Sequence, residues 1–272
     1  MTRQRRPPRR SPGSAQVGNC ALRGFSLVEL AIVLVVSAVL VGGLMVPLSA
    51  QVEQRRLADT QKQLEEIKAA LMGFAAATGR LPCPASSSSN GIENFATTPL
   101  VGNASNGICS NFFDGFLPAA TLGLTPVDSQ GYALDAWGFA QNRIRYAVSN
   151  ATINTQTNPF TKTDGMKNAG IGNVMNQTLL YVCSSSTGIT ASNCGSAGTV
   201  TLSDKAVVVI YSLGSNAASG AAGADEQANL DADKVFVSHP KAGTAGNQFD
   251  DLVTWLGPSL LLNRMVEAGQ LP

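Results

Sequence analysis

The stretch Arg23-Gly-Phe-Ser-Leu-Val-Glu-Leu30 opens the longest apolar run of the chain. From Phe25 to Val46 that run is interrupted only by Glu29 and a few small residues. At about 1.5 Å per residue, a helix over 25–46 reaches about 33 Å, and a bilayer core is about 30 Å thick. A carboxylate within hydrocarbon costs about 2.5–3.5 kcal/mol on insertion scales. The run therefore reads as a transmembrane helix with one costly residue close to its start. An ordinary signal peptide cut after Ala50 would have too long an apolar region, and Leu48 fits the small-residue cleavage pattern badly. An uncut signal anchor leaves Glu29 without a role.

Upstream, residues 1–24 carry Arg3, Arg5, Arg6, Arg9, Arg10 and Arg23 and no acid. Those six belong to a total of 19 Lys and Arg, so 13 remain against 18 Asp and Glu, a net charge of −5 with His neutral. Such an arm reads either as a nucleic-acid-binding tail or as a leader held on the cytoplasmic side by its positive charge. The apolar run that follows it favours the leader, and an acidic remainder gives little attraction to phosphate. Nucleic acid is not expected as a partner.

The order basic leader, Gly24, Phe25, then Glu29 resembles the prepilin cleavage and methylation signal of type IV pilins and type II secretion pseudopilins. The resemblance implies that a prepilin peptidase cuts after Gly24 and N-methylates Phe25. It implies that Glu29 offers its carboxylate to the N-terminal amine of a neighbouring subunit, where charge pairing lowers its cost. The implied partners are that peptidase, other pilin or pseudopilin subunits and an inner-membrane assembly platform.

Beyond the run, Gln51 to about Thr78 has helical periodicity. Leu57, Leu64 and Leu71 recur at seven, and Ile67 and Phe74 complete one apolar stripe. Gly79 stops the helix, and Pro82 and Pro84 prevent its resumption. Turn-rich sequence follows, from Leu81-Pro-Cys-Pro84 through Ser86–Ser89 and Asn90-Gly91. Strands are expected at Arg143–Val148, Thr178–Cys183, Ala206–Ser212, Lys234–Ser238 and Asp251–Trp255, all rich in Val, Ile, Tyr or Leu. Polar loops at 149–170, 184–199 and 214–233 separate them, which suggests an antiparallel sheet. Pro258 opens a last helix, Leu260 to Ala268.

Two further motifs carry the resemblance. Asp135-Ala-Trp-Gly138 is similar to a turn of the major pseudopilins, and Tyr211-Ser-Leu-Gly214 is similar to a motif that follows their central strand. Major pseudopilins hold calcium in the loop after the second motif. In this chain that loop contains Asp225, Glu226, Asp231 and Asp233, so Asp225, Asp231 and Asp233 are the implied calcium ligands. A solvated acidic loop is the plainer reading of the same residues.

Cys20 lies in the basic arm, and Cys83, Cys109, Cys183 and Cys194 lie beyond the apolar run. Four cysteines allow three pairings. Cys83–Cys109 and Cys183–Cys194 are preferred, since each pair is local in sequence and flanks a polar loop. Enzymatic chemistry is not expected. His239 is the one histidine, and no nucleophile-elbow, Walker or dinucleotide motif is present.

The expected molecule is an α+β, pilin-like chain. A leader covers 1–24, a transmembrane or filament-core helix 25–46, its amphipathic continuation 47–78, and a periplasmic globular domain 79–272. The expected role is that of a minor pilin or pseudopilin anchored in a bacterial inner membrane before assembly. A pilus-tip adhesin or substrate-recognition module, and an uncut membrane-anchored domain, are the alternatives.

Overall fold

Helix α1 spans Leu27–Thr78, and the chain divides into two units, Met1–Gln51 and Val52–Pro272. The computed structural model describes residues 26–196, 198–220, 223–244 and 247–272, with the backbone alone described at 42–48, 219, 244 and 247. In the first unit, Ser26 starts the helix. Its hydroxyl accepts from the Glu29 amide at 3.2 Å, which satisfies one of the amides left without a partner at a helix start.

The expected membrane span is not upheld. Among the described residues no helix is long and apolar enough to cross a membrane. The apolar part whose side chains are described runs from Leu27 to Val41 and contains Glu29. The transmembrane first half of the predicted fold is therefore corrected. Placement as a single-pass inner-membrane protein with a periplasmic domain rested on that span and falls with it.

In the second unit, α1 packs by the stripe read from the sequence. Leu64, Ile67, Leu71 and Ala75 are buried, and Leu57 and Phe74 are half-buried. Thr60 extends the stripe as a buried polar residue, and its hydroxyl accepts from the Ala136 amide at 3.2 Å. The helix ends where Gly79 takes a φ of 75°, with its amide bonded to the Ala75 carbonyl.

The elements that follow are β1 Gly115–Phe116, α2 Ala119–Leu122, β2 Arg145–Val148, β3 Thr152–Ile153, β4 Gln156–Thr157, α3 Gly165–Ala169, α4 Ile171–Asn176, β5 Leu180–Cys183, β6 Thr201–Ala206, β7 Val208–Ser212, α5 Ala224–Ala228, β8 Val235–Val237, β9 Ala242–Thr244, β10 Asn247–Phe249, β11 Leu252–Leu256 and α6 Pro258–Glu267. All five predicted strands are present, with ends shifted by up to two residues. The predicted last helix starts two residues earlier, with Pro258 in its first turn.

The main sheet has the order β1-β2-β7-β11, and every pair in it is antiparallel. A second sheet, β6-β5-β8, pairs β5 with β8 in parallel, so the expectation of a purely antiparallel architecture is corrected there. The two sheets explain the unbroken apolar run of β7, which is buried at every position. On one face, Tyr146, Val148, Val208 and Ile210 join Leu64, Ile67 and Leu71 of α1 in the larger core. On the other, Ala147, Val209 and Tyr211 join Leu180, Val182 and Phe236 of the second sheet. A strand covered on both faces loses the polar alternation of a half-exposed one. Helix, main sheet and second sheet thus form three layers.

The structure contains the disulfides Cys83–Cys109 and Cys183–Cys194, with Cα separations of 5.4 and 5.5 Å. They are the pairs preferred from sequence proximity. The loops expected at 149–170 and 214–233 also hold short elements: the hairpin β3–β4, helix α3 and helix α5.

Candidate functional site

The two short motifs meet in one polar network. Asp135 is buried, and its carboxylate accepts from the Trp137 amide at 2.9 Å, from the Ser212 hydroxyl at 2.5 Å and from Asn142 Nδ2 at 2.8 Å. Asn142 also donates to the Gly214 carbonyl at 2.6 Å. Burial raises the Asp135 carboxyl above its ordinary range, while its hydrogen bonds oppose that shift. Trp137 Nε1 reaches Glu53 of α1 at 3.3 Å. The turn thus ties the helix to the end of β7.

From Gly214 the network passes into a carboxylate cluster. The Gly214 amide donates to the Ser212 hydroxyl, and the Ser215 amide donates to Asp250 Oδ2 at 2.9 Å. The Ser215 hydroxyl donates to the same oxygen. Gly214 has a φ of 65°, and a Cβ there would overlap the carbonyl oxygen and the carboxylate of Asp250. Only glycine fits both the conformation and the approach.

Glu226, Asp250 and Asp251 each offer a carboxylate oxygen within 4.8 Å of the other two, and all three residues are buried. Two segments deliver them: α5 supplies Glu226, and the connection from β10 to β11 supplies the two aspartates. Glu226 Oε1 accepts from Asn216 Nδ2 at 2.8 Å and from the Asp250 amide at 3.1 Å. Asp251 Oδ2 accepts from Asn229 Nδ2 at 2.8 Å, and Asn229 is itself held by Val237 of β8. Asp250 Oδ1 is buried without a hydrogen-bond donor. Burial, reinforced by Glu226 and Asp250, pushes the Asp251 carboxyl up to about 8 against the pull of Asn229. Burial also raises Asp250, against hydrogen bonds from Ser215 and the charge of Lys241.

This arrangement fits a hard cation. Calcium takes six to eight oxygen ligands, and converging carboxylates of this kind are costly when left to repel one another. The buried Asp250 Oδ1 is the kind of acceptor a cation satisfies. These residues are not the ones implied by resemblance, Asp225, Asp231 and Asp233. Among the described residues the Glu226, Asp250, Asp251 group is the only acidic cluster so arranged, and Asp225, Asp231 and Asp233 do not converge.

Asp225 turns instead to the Ser186 amide at 2.5 Å and to His239 Nε2 at 3.1 Å. Burial would raise its carboxyl, but the Ser186 and His239 hydrogen bonds outweigh it and hold the group below its usual range. Asp233 caps the start of β8 by accepting from the Val235 amide at 2.7 Å, and burial pushes it up to about 6. The signal for Asp250 and Asp251 lay in their adjacency at the head of a strand. What made it unreadable is the register: Leu252 pairs with Ser212, which sets the two aspartates beside Gly214 and Ser215.

His239 stacks on Phe249 with ring centroids 3.9 Å apart. Its ring nitrogens face Asp225 and the Pro240 carbonyl, an arrangement that fixes a loop.

Of the residues assigned to processing and assembly, Gly24 and Phe25 lie outside the described residues. Glu29 lies in the first turn of α1. Around it, Leu27, Val28, Leu30, Ile32, Val33, Leu34, Val35, Val36, Val39, Leu40 and Val41 are all at least half exposed. Comparison of the chain with models of protein families, with curated proteins and with solved structures finds no match.

Proposed function

We propose that the chain is a structural subunit of a pilin-like filament, a minor pilin or pseudopilin, that assembles through the start of α1. The observation that carries this reading is the exposed apolar surface from Leu27 to Val41 with one acid, Glu29, in its first turn. Fully burying a large aliphatic side chain contributes about 1.5–3 kcal/mol, so covering half of this surface is worth on the order of 10 kcal/mol. A surface of that size calls for a partner of similar chemistry. Copies of the same kind of helix supply it. Glu29 then selects the register, because an unpaired carboxylate among apolar helices is disfavoured and a neighbour's N-terminal amine relieves it.

The leader motif supports the same reading. Removal of 1–24 by a prepilin-type peptidase would create the amine that Glu29 needs, at Phe25.

A Glu29→Leu variant tests the pairing. It is expected to be processed and folded as the wild type while its share of the sheared filament fraction falls at least tenfold. Equal incorporation of the two proteins would remove Glu29 from assembly.

A further inference from the structure

Each of the two larger sheets has two edges, and among the described residues three of the four are closed or guarded. On β1, Phe116 and Ala85 exchange backbone hydrogen bonds at 2.8 and 2.9 Å. On β8, the Val237 amide donates to Asn229 Oδ1 at 2.8 Å and the Val235 amide to Asp233 Oδ1 at 2.7 Å. Strand β6 carries Asp204 and Lys205 and pairs irregularly with β5, and both features discourage further pairing. Strand β11 has no such protection. Its sequence Leu-Val-Thr-Trp-Leu holds no charge, glycine or proline, and among the described residues it pairs with β7 alone. Leu252, Val253 and Thr254 line a groove of about 620 Å³, walled by Leu57, Leu64 and Glu65 of α1 and by residues 238–241. The lining includes no residue of β7, so the groove runs along the open edge of β11.

We propose that this groove takes an extended segment of a partner protein, with a lysine or arginine two positions from an aliphatic residue, and that the segment pairs with β11 as a fifth strand of the main sheet. A row of open backbone donors and acceptors is matched by another strand. Residues two apart in a strand share a face, so both named side chains turn to α1. There Leu57 and Leu64 give the aliphatic one an apolar wall, and the largely exposed Glu65 attracts the basic one. Charge selects the occupant. Even with Asp251 protonated, Glu65 and Asp250 outnumber Lys241 along the groove. A second copy, with 18 acids against 13 Lys and Arg beyond the leader, is a poorer match than a basic segment. The groove belongs to the second unit alone, so the inference stands whether or not the chain enters a filament.

The test is selection from a displayed library of random heptapeptides on the purified full-length chain, followed by hydrogen exchange of the chain with each selected peptide. The selected peptides are expected to carry the basic residue two positions from the aliphatic one and to slow exchange at 252–256. A strand turns its amides to opposite sides in turn, so N-methylating one alternate set of peptide amides is expected to weaken binding about tenfold and the other set to change it little. Glu65→Lys is expected to bind the same peptides severalfold more weakly, with a loss that shrinks at high salt. A melt close to the wild type establishes that this variant folds. A library without a binder, binders that leave 252–256 unchanged, or equal losses from both N-methylated sets would overturn the strand pairing. A Glu65→Lys affinity equal to the wild type would overturn the choice of a basic segment. Dimers of the chain alone with the same slowed amides would assign the edge to a second copy and overturn the partner.

Discussion

Arg80→Met is expected to destabilise the chain by about 3–5 kcal/mol in urea unfolding, among the largest losses that a single side chain gives. Arg80 and Glu93 form a paired fork, Nη1 to Oε2 and Nη2 to Oε1, each at 2.7 Å. Their side chains are only 10 % and 13 % exposed. The guanidinium also lies over the rings of Phe74 and Phe95 and donates to the Leu81 carbonyl. Without Arg80, Glu93 keeps a buried charge and one donor to it, the Cys83 amide at 3.2 Å. Breaking one side of a buried pair costs more than replacing both. Arg80→Met combined with Glu93→Leu is therefore expected to recover most of the loss. A double variant as unstable as the single one would show that packing of the arginine, rather than the stranded charge, sets the cost.

Removing the Cys83–Cys109 disulfide is the second large effect. The bridge closes a sequence separation of 26, for which the chain-entropy model gives about 3.5 kcal/mol. The enclosed segment has no long helix or strand, and the bridge and the Arg80–Glu93 pair both fasten it. Replacing both cysteines by serine should lower the urea midpoint by a corresponding amount. The same change at Cys183 and Cys194, with a separation of 11, should cost somewhat less, about 2.8 kcal/mol. An unchanged midpoint without Cys83 and Cys109 would show that the segment is held by its other contacts alone.

Local signals were legible in the sequence. The stripe of Leu64, Ile67 and Leu71 was readable because one helix face meets one core. Strand β7 was readable because apolar residues are needed on both of its faces. The two disulfides followed from proximity. Strand β6, Thr-Leu-Ser-Asp-Lys-Ala, gave no signal, since it is an edge strand whose one fully buried side chain, Ala206, marks no apolar face.

The parallel pairing of β5 with β8 was also unreadable. Their partnership crosses more than fifty residues that contain β6, β7 and α5. The acidic group at Glu226, Asp250 and Asp251 was unreadable for the same reason. Asp225 turns to Ser186 and His239 and Asp231 lies against Asp233, while Glu226 reaches Asp250 and Asp251 only through the fold. The membrane span expected from the count of apolar residues is not upheld, since no helix among the described residues is long and apolar enough to cross.

Assembly through the start of α1 requires a new N-terminus at Phe25. The most direct measurement is the intact mass of the chain purified from cells with and without the prepilin peptidase. The account predicts loss of residues 1–24 and gain of one methyl group only where the peptidase is present. A chain of unchanged mass in both would contradict it, since Glu29 would then have no N-terminal amine beside the helix to pair with.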